Sequence, residues 1–183
     1  MPLPVITTER LILRSFTLDD ASELARVINA PEIATMTLNI PYPYPAQMAV
    51  DWINGLEERY LSGANVNFAI TLRSTGEMGG SIGLVINPRH QHAEMGYWLA
   101  VPLWGKGYVT EAARACLEFG FETLGLHRIF AGHYARNPAS GRVMQKMGMT
   151  YEGTFRQHLL KDGVFEDNVV YGILREDWER QKR

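Results

Sequence analysis

One cysteine, Cys116, occurs in 183 residues, so no disulfide can form within the chain. No apolar run approaches the length needed to span a bilayer as a helix. Neither sign of charge dominates: 18 lysines and arginines oppose 20 aspartates and glutamates, a formal net charge of −2. No basic run is interleaved with aromatics, so the electrostatic footprint of a nucleic-acid binder is missing. The five histidines (His90, His92, His127, His133 and His158) show no ligand spacing with cysteine or acidic residues, and no metal site is expected. The first residues lack a basic stretch followed by an apolar one. No secretory signal is therefore expected, and the cytoplasm is the expected address. Internal repeats, low-complexity tracts and linkers are also missing. What remains is an ordinary globular composition, 46% hydrophobic and 21% charged. The chain is long enough to bury most of its apolar surface in one domain.

Trp104-Gly105-Lys106-Gly107-Tyr108-Val109-Thr110-Glu111-Ala112 is the most informative stretch. It follows a strand-like run, Met95 to Val101, and opens a helix-like one. Two glycines at such a junction let backbone N–H groups converge without Cβ obstruction. The positive end of the helix behind them favours an anion at that point. The stretch therefore reads as a pyrophosphate cradle. A Walker-type loop requires G-x-x-x-x-G-K-[ST], which is missing. A dinucleotide loop requires G-x-G-x-x-G in an opening βαβ unit. Here the third glycine position is Thr110 and the motif lies mid-chain, so a nicotinamide-binding oxidoreductase is disfavoured. Behind the loop, Val109, Ala112, Ala113, Cys116, Leu117, Gly120, Phe121 and Leu124 follow helical spacing on one face. Glu111, in the first turn, suits the helix dipole as a structural residue. Cys116 falls on the apolar face and reads as core, not as a nucleophile.

A third kind of anion loop fits. The stretch resembles the acyl-coenzyme A loop of the GNAT superfamily of N-acetyltransferases, in particular the W-G-K/R-G-Y-x-T-E-A string of its RimJ/RimL-like branch. The wider superfamily pattern, [QR]-x-x-G-x-G/A, meets Pro102 at its first position here. A second segment supports the likeness. Asn137 to Met149 is by itself a capped helix with Pro138 in its first turn and Gly148 as its stop. It also matches the superfamily's N-x-x-[AS]-x-x-[LV]-x-x-K-x-G-[FM]. The resemblance runs from about Thr8 to Trp178. It implies a single N-acetyltransferase domain over residues 8–178, using acetyl-CoA, releasing coenzyme A and needing no metal. It further implies that Gly105, Lys106, Gly107, Tyr108, Val109 and Thr110 cradle the pyrophosphate. Asn137 would hold the pantetheine arm, Ser140 would lie by the thiol, and Arg142 and Lys146 would face the phosphates. Backbone groups of Leu99 and Val101 would pair with the pantetheine arm as an added strand does. Many members carry a tyrosine general acid where this chain has Met144. Ser140 is then the candidate to assist the leaving thiolate.

Acetyl transfer to an amine at neutral pH must overcome protonation of the nucleophile. A lysine-like amine has a pKa of ~10.4 and an N-terminal amine ~7.7–8.0. Glu94, in E-x-G-Y-W, is the first candidate to accept that proton; it alternates with Gly96, Trp98 and Ala100 on one strand face. His92 is a second candidate, and a solvated strand glutamate remains the plain structural reading of Glu94. Tyr42 and Tyr44, in the proline loop, and Trp98, on the strand, are candidates for the acceptor wall, with Tyr97 beside them. The acceptor is a primary amine, either a protein N-terminus such as that of a ribosomal protein or a small amine. A homodimer follows from family habit alone. The rival from another class is a non-catalytic acyl-CoA sensor on the same fold.

Periodicity predicts an α/β (α+β) fold. The element order is β-α-α-β-β-β-α-β-α-β-β, and the resemblance to the GNAT superfamily implies a mixed, mostly antiparallel central sheet flanked by helices. Strands are expected at Leu11–Arg14, Phe68–Leu72, Met78–Ile86, Glu94–Val101, Arg128–Ala135, Phe155–Leu160 and Val164–Leu174. Helices are expected after Asp19 or Asp20, over Met48–Tyr60, behind Gly107 and over Ser140–Met147. Ala30-Pro31-Glu32 reads as a break, and Asp162-Gly163 as a hairpin turn.

Overall fold

A computed structural model of the chain describes residues 2–182. Eight strands form one sheet in the order β1-β2-β3-β4-β5-β6-β8-β7. They are β1 (Ile6–Thr7), β2 (Leu11–Arg14), β3 (Asn65–Leu72), β4 (Met78–Asn87), β5 (His92–Leu99), β6 (Arg128–Tyr134), β7 (Thr150–Lys161) and β8 (Val164–Leu174). All neighbours are antiparallel except β5 and β6. That single parallel join follows from the helical crossover between the two strands, which a hairpin cannot replace. The mixed, mostly antiparallel sheet flanked by helices is the expected one.

The helices are α1 (Ala21–Ile28), α2 (Pro31–Met36), α3 (Ala46–Asn54), α4 (Leu56–Leu61), α5 (Tyr108–Glu118), α6 (Pro138–Lys146) and α7 (Arg175–Gln181). Strand alternation sorts the core into two layers. Leu11, Leu13, Phe68, Ile70, Ile82, Met95, Leu99 and Ile129 face α5 and α6, where they meet Ala112, Ala113, Cys116, Leu117 and Met144. Ala69, Met78 and Trp98 face the other way, against Leu24, Ile28, Ile33, Tyr44, Ala49 and Ile53 of α1 to α3 and their loops. Cys116 is fully buried, and that burial pushes its thiol up to about 12.

Several boundaries differ from the expected ones. The first helix ends at Ile28, ahead of the expected break at Ala30-Pro31-Glu32, and Pro31 also opens a further helix, α2, because proline at the first helical position gives up an N–H that would be unpaired anyway. The expected second helix divides at Gly55 into α3 and α4, and Met48 is 40% exposed instead of inward. β5 stops at Leu99, and Val101–Leu103 forms a 3-10 turn around Pro102. Helix α5 runs into a π-type turn, Phe119–Thr123, which seats Phe121 in the core. Strand β1 and helix α7 lie outside the expected pattern.

The N-terminal segment ties down the loop ahead of α5. Glu111 accepts hydrogen bonds from Thr8 Oγ1 (2.6 Å), the Arg10 N–H (2.8 Å) and Arg10 Nε (2.7 Å). Arg10 Nη1 also donates to the Lys106 carbonyl at 2.9 Å. Burial pushes the Glu111 carboxyl upward, but the bonds from Thr8 and Arg10 outweigh it and hold the group below the usual range. A lowered carboxylate pKa stabilises the fold above the unfolded value, and that stability is lost as pH falls through the folded one. Glu111→Gln is expected to cost about 1–3 kcal/mol at neutral pH, a fall of several degrees in melting temperature. The deficit against the native protein should narrow as pH is lowered through the carboxylate range. A deficit independent of pH in thermal melts would contradict this role for the charge.

Candidate functional site

β5 and β6 run side by side for three residue pairs only: His92 with Arg128, Ala93 with Ile129 and Glu94 with Phe130. Beyond that point β5 continues against β4, and β6 continues against β8. The parting strands open a cleft of about 1080 Å³, lined by residues from both faces of the sheet. The Ala100 N–H donates to the Gly79 carbonyl at 2.7 Å. Alternate residues of an antiparallel ladder address the same neighbour. Gly96 and Trp98 therefore commit their backbone groups to β4, while Met95, Tyr97 and Leu99 turn theirs toward the strand that has left.

That exposed edge differs from the expected one. The Leu99 carbonyl accepts the Trp104 indole N–H at 2.7 Å. Val101 lies in the 3-10 turn, where its carbonyl accepts the Trp104 N–H at 3.1 Å. Pro102 forces this turn and ends the strand pattern. The free edge is thus Met95, Tyr97 and the N–H of Leu99.

At one end of the cleft stands the glycine loop. Gly105 and Gly107 have φ of 74° and 81°, the left-handed region that favours glycine. Nothing lies within 4 Å of a Cβ added at Gly105, so dihedral, not space, demands glycine there. Gly107 caps α5, and no side chain caps that helix. The Glu111 N–H closes onto the Gly107 carbonyl at 3.1 Å, which leaves the N–H groups of Tyr108, Val109 and Thr110 without helix partners. All three residues line the cleft, as do Arg142 and Lys146 of α6. Neither cation forms an ion pair among the described residues. This concentration of uncommitted N–H donors and cations suits a pyrophosphate. Lys106 is exposed and outside the lining; its carbonyl serves Arg10 instead.

Midway along the cleft, the Asn137 carboxamide oxygen accepts the Ser140 N–H at 3.3 Å and caps α6. The hydroxyls of Ser140 and Tyr97 stand 2.8 Å apart. Burial pushes the Tyr97 phenol up to about 12, opposed by its bond to Ser140, so it keeps its proton at neutral pH. The Tyr97–Ser140 pair is not legible from either motif alone. The one available signal is strand alternation, which turns Tyr97, with Met95 and Leu99, toward α6. Met144 is buried in the core and offers no hydroxyl at its position. His133 packs its Nε2 against Gly141 while Nδ1 bonds the Tyr134 carbonyl at 2.7 Å, so it is a packed histidine.

Glu94 lies on the opposite face, open to solvent at the head of the parting strands. It borders both the main cleft and an adjoining cavity of about 480 Å³ that includes His92 and Phe130. No lysine or arginine pairs with it among the described residues. Desolvation by the surrounding walls holds its carboxyl above the usual carboxylate range. Tyr44 and Trp98 line the cleft on this face. Tyr42 does not: it is 56% exposed and outside the lining, whereas Tyr44 is buried, with its N–H on Asn29 Oδ1 at 3.0 Å. No group of three or more histidine, cysteine or acidic side chains suited to a metal occurs among the described residues, and no helix there is long and apolar enough to cross a membrane.

This geometry can be set beside known proteins. A family model described as an acetyltransferase (GNAT) domain matches residues 10–150. The chain is 31% identical over 173 residues to the uncharacterized N-acetyltransferase YoaA of Bacillus subtilis (strain 168), covering 94% of this chain and 97% of the relative. It is 27% identical over 186 residues to the ribosomal protein uS5-alanine N-acetyltransferase of Escherichia coli (strain K12), covering 97% and 94%. A crystal structure of a GNAT-family acetyltransferase from Bacillus anthracis matches with a TM-score of 0.83 at 26% identity, covering 94% and 99%. With the parted strands and the glycine loop, these likenesses show that the chain belongs to the GNAT acetyltransferases, in the RimJ/RimL-like branch, and is an N-acetyltransferase.

Proposed function

We propose that this N-acetyltransferase moves an acetyl group directly from acetyl-CoA to a primary amine, with Glu94 accepting the amine's proton and Ser140 serving the leaving thiolate. One observation carries the reading. A single cleft passes through the sheet, with an anion cradle on the side of α5 and α6 and an unpaired carboxylate, Glu94, at its edge on the other face. Acetyl-CoA supplies the acetyl group as a thioester. The loop N–H groups with Arg142 and Lys146 suit its pyrophosphate, and the open edge of β5 with the Asn137 amide suits its extended arm.

The proton balance follows from the two environments. An ammonium entering from the Glu94 face gives its proton to a carboxylate whose affinity for it is raised. The C–N bond forms and the C–S bond breaks. The departing thiolate takes the Ser140 proton, and the Tyr97 hydroxyl, 2.8 Å away, replaces it; the nitrogen loses its second proton to solvent as the amide forms, and Tyr97 regains one from solvent, so the net release is one proton, carried off from Glu94. Cys116 is fully buried with its thiol pushed up, which opposes an acyl-cysteine intermediate and favours direct transfer. A sensor would need the cradle but neither Glu94 nor the hydroxyl pair. The relative named a ribosomal protein uS5-alanine N-acetyltransferase supports a protein N-terminal amine as acceptor.

Acetyl-CoA should raise the melting temperature in proportion to the logarithm of its concentration above its dissociation constant, while NAD should not. A shift with NAD alone would remove the cradle assignment. Glu94→Gln should lower kcat by about 10²–10⁴-fold and abolish the acid limb of the pH–rate profile. In the native enzyme that limb lies above the ordinary carboxylate range, with activity lost as pH falls through it. A raised carboxyl pKa also means that stability declines as pH rises through the interval between unfolded and folded values. The variant should therefore melt no lower than the native enzyme at neutral pH. Full activity across pH in the variant would exclude Glu94 as the base. Ser140→Ala should lower kcat roughly tenfold or more with little change in the acetyl-CoA melting shift; an unchanged kcat would exclude the Ser140 role.

A further inference from the structure

Three glycines share one row across the Glu94 face of the sheet. Asn67 of β3 stands opposite Gly83 of β4, and Gly83 stands opposite Gly96 of β5. The pairing of Glu94 with Phe130 carries the same face onto β6, where Gly132 comes two residues later. On one side of this row stand Glu94 and Phe130, on the other Trp98 and Tyr134. The row is a trench between a carboxylate wall and an aromatic wall.

The ends of the trench are roofed and its middle is open. A Cβ added at Gly83 would stand 2.5 Å from the Asn67 carboxamide oxygen, and one at Gly132 would stand 2.5 Å from that of Asn168 on β8. At Gly132 the carboxamide is all that an added Cβ would meet, whereas at Gly83 the Val66 backbone carbonyl stands nearer still, so glycine there serves both the strand approach and the carboxamide. At Gly96, between them, an added Cβ meets nothing within 4 Å. Asn67 and Asn168 are half-buried and line the cleft, and neither side chain makes a hydrogen bond among the described residues. Both carboxamides face the open cleft with their donors and acceptors uncommitted to the protein, so a ligand that both donates and accepts can engage them. The cations on this side of the cleft are engaged: Arg136 Nε donates to Glu166 at 2.7 Å and its guanidinium stacks on Tyr134, while Arg128 pairs with Glu152 and stacks on Phe130.

Resting on the reading of Glu94 as the amine's proton acceptor, we propose that Asn67 and Asn168 form a carboxamide clamp. It selects an acceptor whose amine adjoins a neutral amide, as in the first residue of a polypeptide, over a free α-amino acid. A carboxamide both donates to an amide oxygen and accepts from an amide N–H. A free carboxylate would instead meet Glu94 across the trench with no uncommitted cation to balance it. Gly96 leaves the floor open for the atoms that join amine to amide.

The test compares L-alaninamide, L-alanine and isopropylamine as acceptors in thiol-release assays, with the peptide Ala-Ala-Ala-amide as the extended probe. The native enzyme should favour alaninamide over the other two by at least about tenfold in kcat/KM. Asn67→Ala and Asn168→Ala should each lower the alaninamide-to-isopropylamine ratio several-fold to tenfold, the range of one or two lost hydrogen bonds, while the acetyl-CoA melting shift persists. Gly96→Val should raise KM for amide-bearing acceptors and retain that melting shift. An unchanged ratio in both asparagine variants overturns the clamp, as does native preference for alanine or isopropylamine. So does failure to acetylate both alaninamide and the tripeptide amide. Glu94→Gln separates the two readings. If it keeps native rates on every acceptor, the base assignment fails; if it loses them all while the asparagine variants keep the native ratio, only the clamp fails.

Discussion

The site exists because a parallel ladder is allowed to stop after three pairs. Unpaired backbone groups in a protein interior carry a penalty, so two neighbouring strands do not part without compensation. Here each strand has a second neighbour that holds it. β5 keeps its register with β4 from His92 to Leu99, and β6 keeps its own with β8 from Arg128 to Tyr134. The inner edges alone are left open, and they face a cavity instead of dry core. On one side α6 is pressed against β6 through Gly141 and His133; on the other Trp98 is anchored against the layer of α1 and α3. The gap is therefore a property of the packed sheet, and a ligand that enters it completes a structure already held open by the surrounding strands.

Charge is divided across that gap in the same way. The cradle gathers positive character from the uncapped start of α5, Arg142 and Lys146, all approached from the α5 and α6 face. Glu94, on the other face, has no cation near enough to satisfy it and rises in pKa. Tyr97, on the same strand but facing α6, is pushed up to about 12 and stays protonated. One strand thus presents a group disposed to take a proton on one face and a group that holds one on the other. Strand alternation alone produces that separation, since Glu94 and Tyr97 differ by an odd number of residues. The chemistry of the two half-reactions is spatially sorted by the pleat.

Much of this arrangement is legible in the amino-acid sequence. The glycine loop, the apolar face of α5, the Asn137 cap and the Asp162-Gly163 hairpin each carry a local signal: a fixed spacing, a period or a turn dipeptide. The features that the sequence hides are non-local or depend on where a pattern ends. Period-two reading continues through Val101, but Pro102 closes the strand two residues earlier. A proline-rich loop has no period, so Tyr42 and Tyr44 look equivalent until the fold buries Tyr44 and leaves Tyr42 exposed. Tyr97 and Ser140 lie 43 residues apart and meet only because α6 packs over β5. Asn67 and Asn168 read as ordinary strand polars; only the register of the sheet sets Asn67 beside Gly83 and Asn168, opposite Tyr134, within reach of Gly132.

Glycine does three different jobs in this molecule, and the difference separates what the fold requires from what the site requires. Gly105 and Gly107 answer a backbone demand, a positive φ that other residues adopt only at a cost. Gly83 and Gly132 answer a spatial demand, because a methyl group would collide with a carboxamide at either position and, at Gly83, with the Val66 carbonyl as well. Gly96 answers neither. Its φ is not in the left-handed region, and a Cβ there would touch nothing. In a strand interior glycine is the least favourable choice, losing more chain entropy than any residue and contributing no packing. Nothing in the local structure compensates for that cost. On the proposed reading, the advantage of glycine at this position lies with the acceptor that occupies the open floor between Glu94 and Trp98.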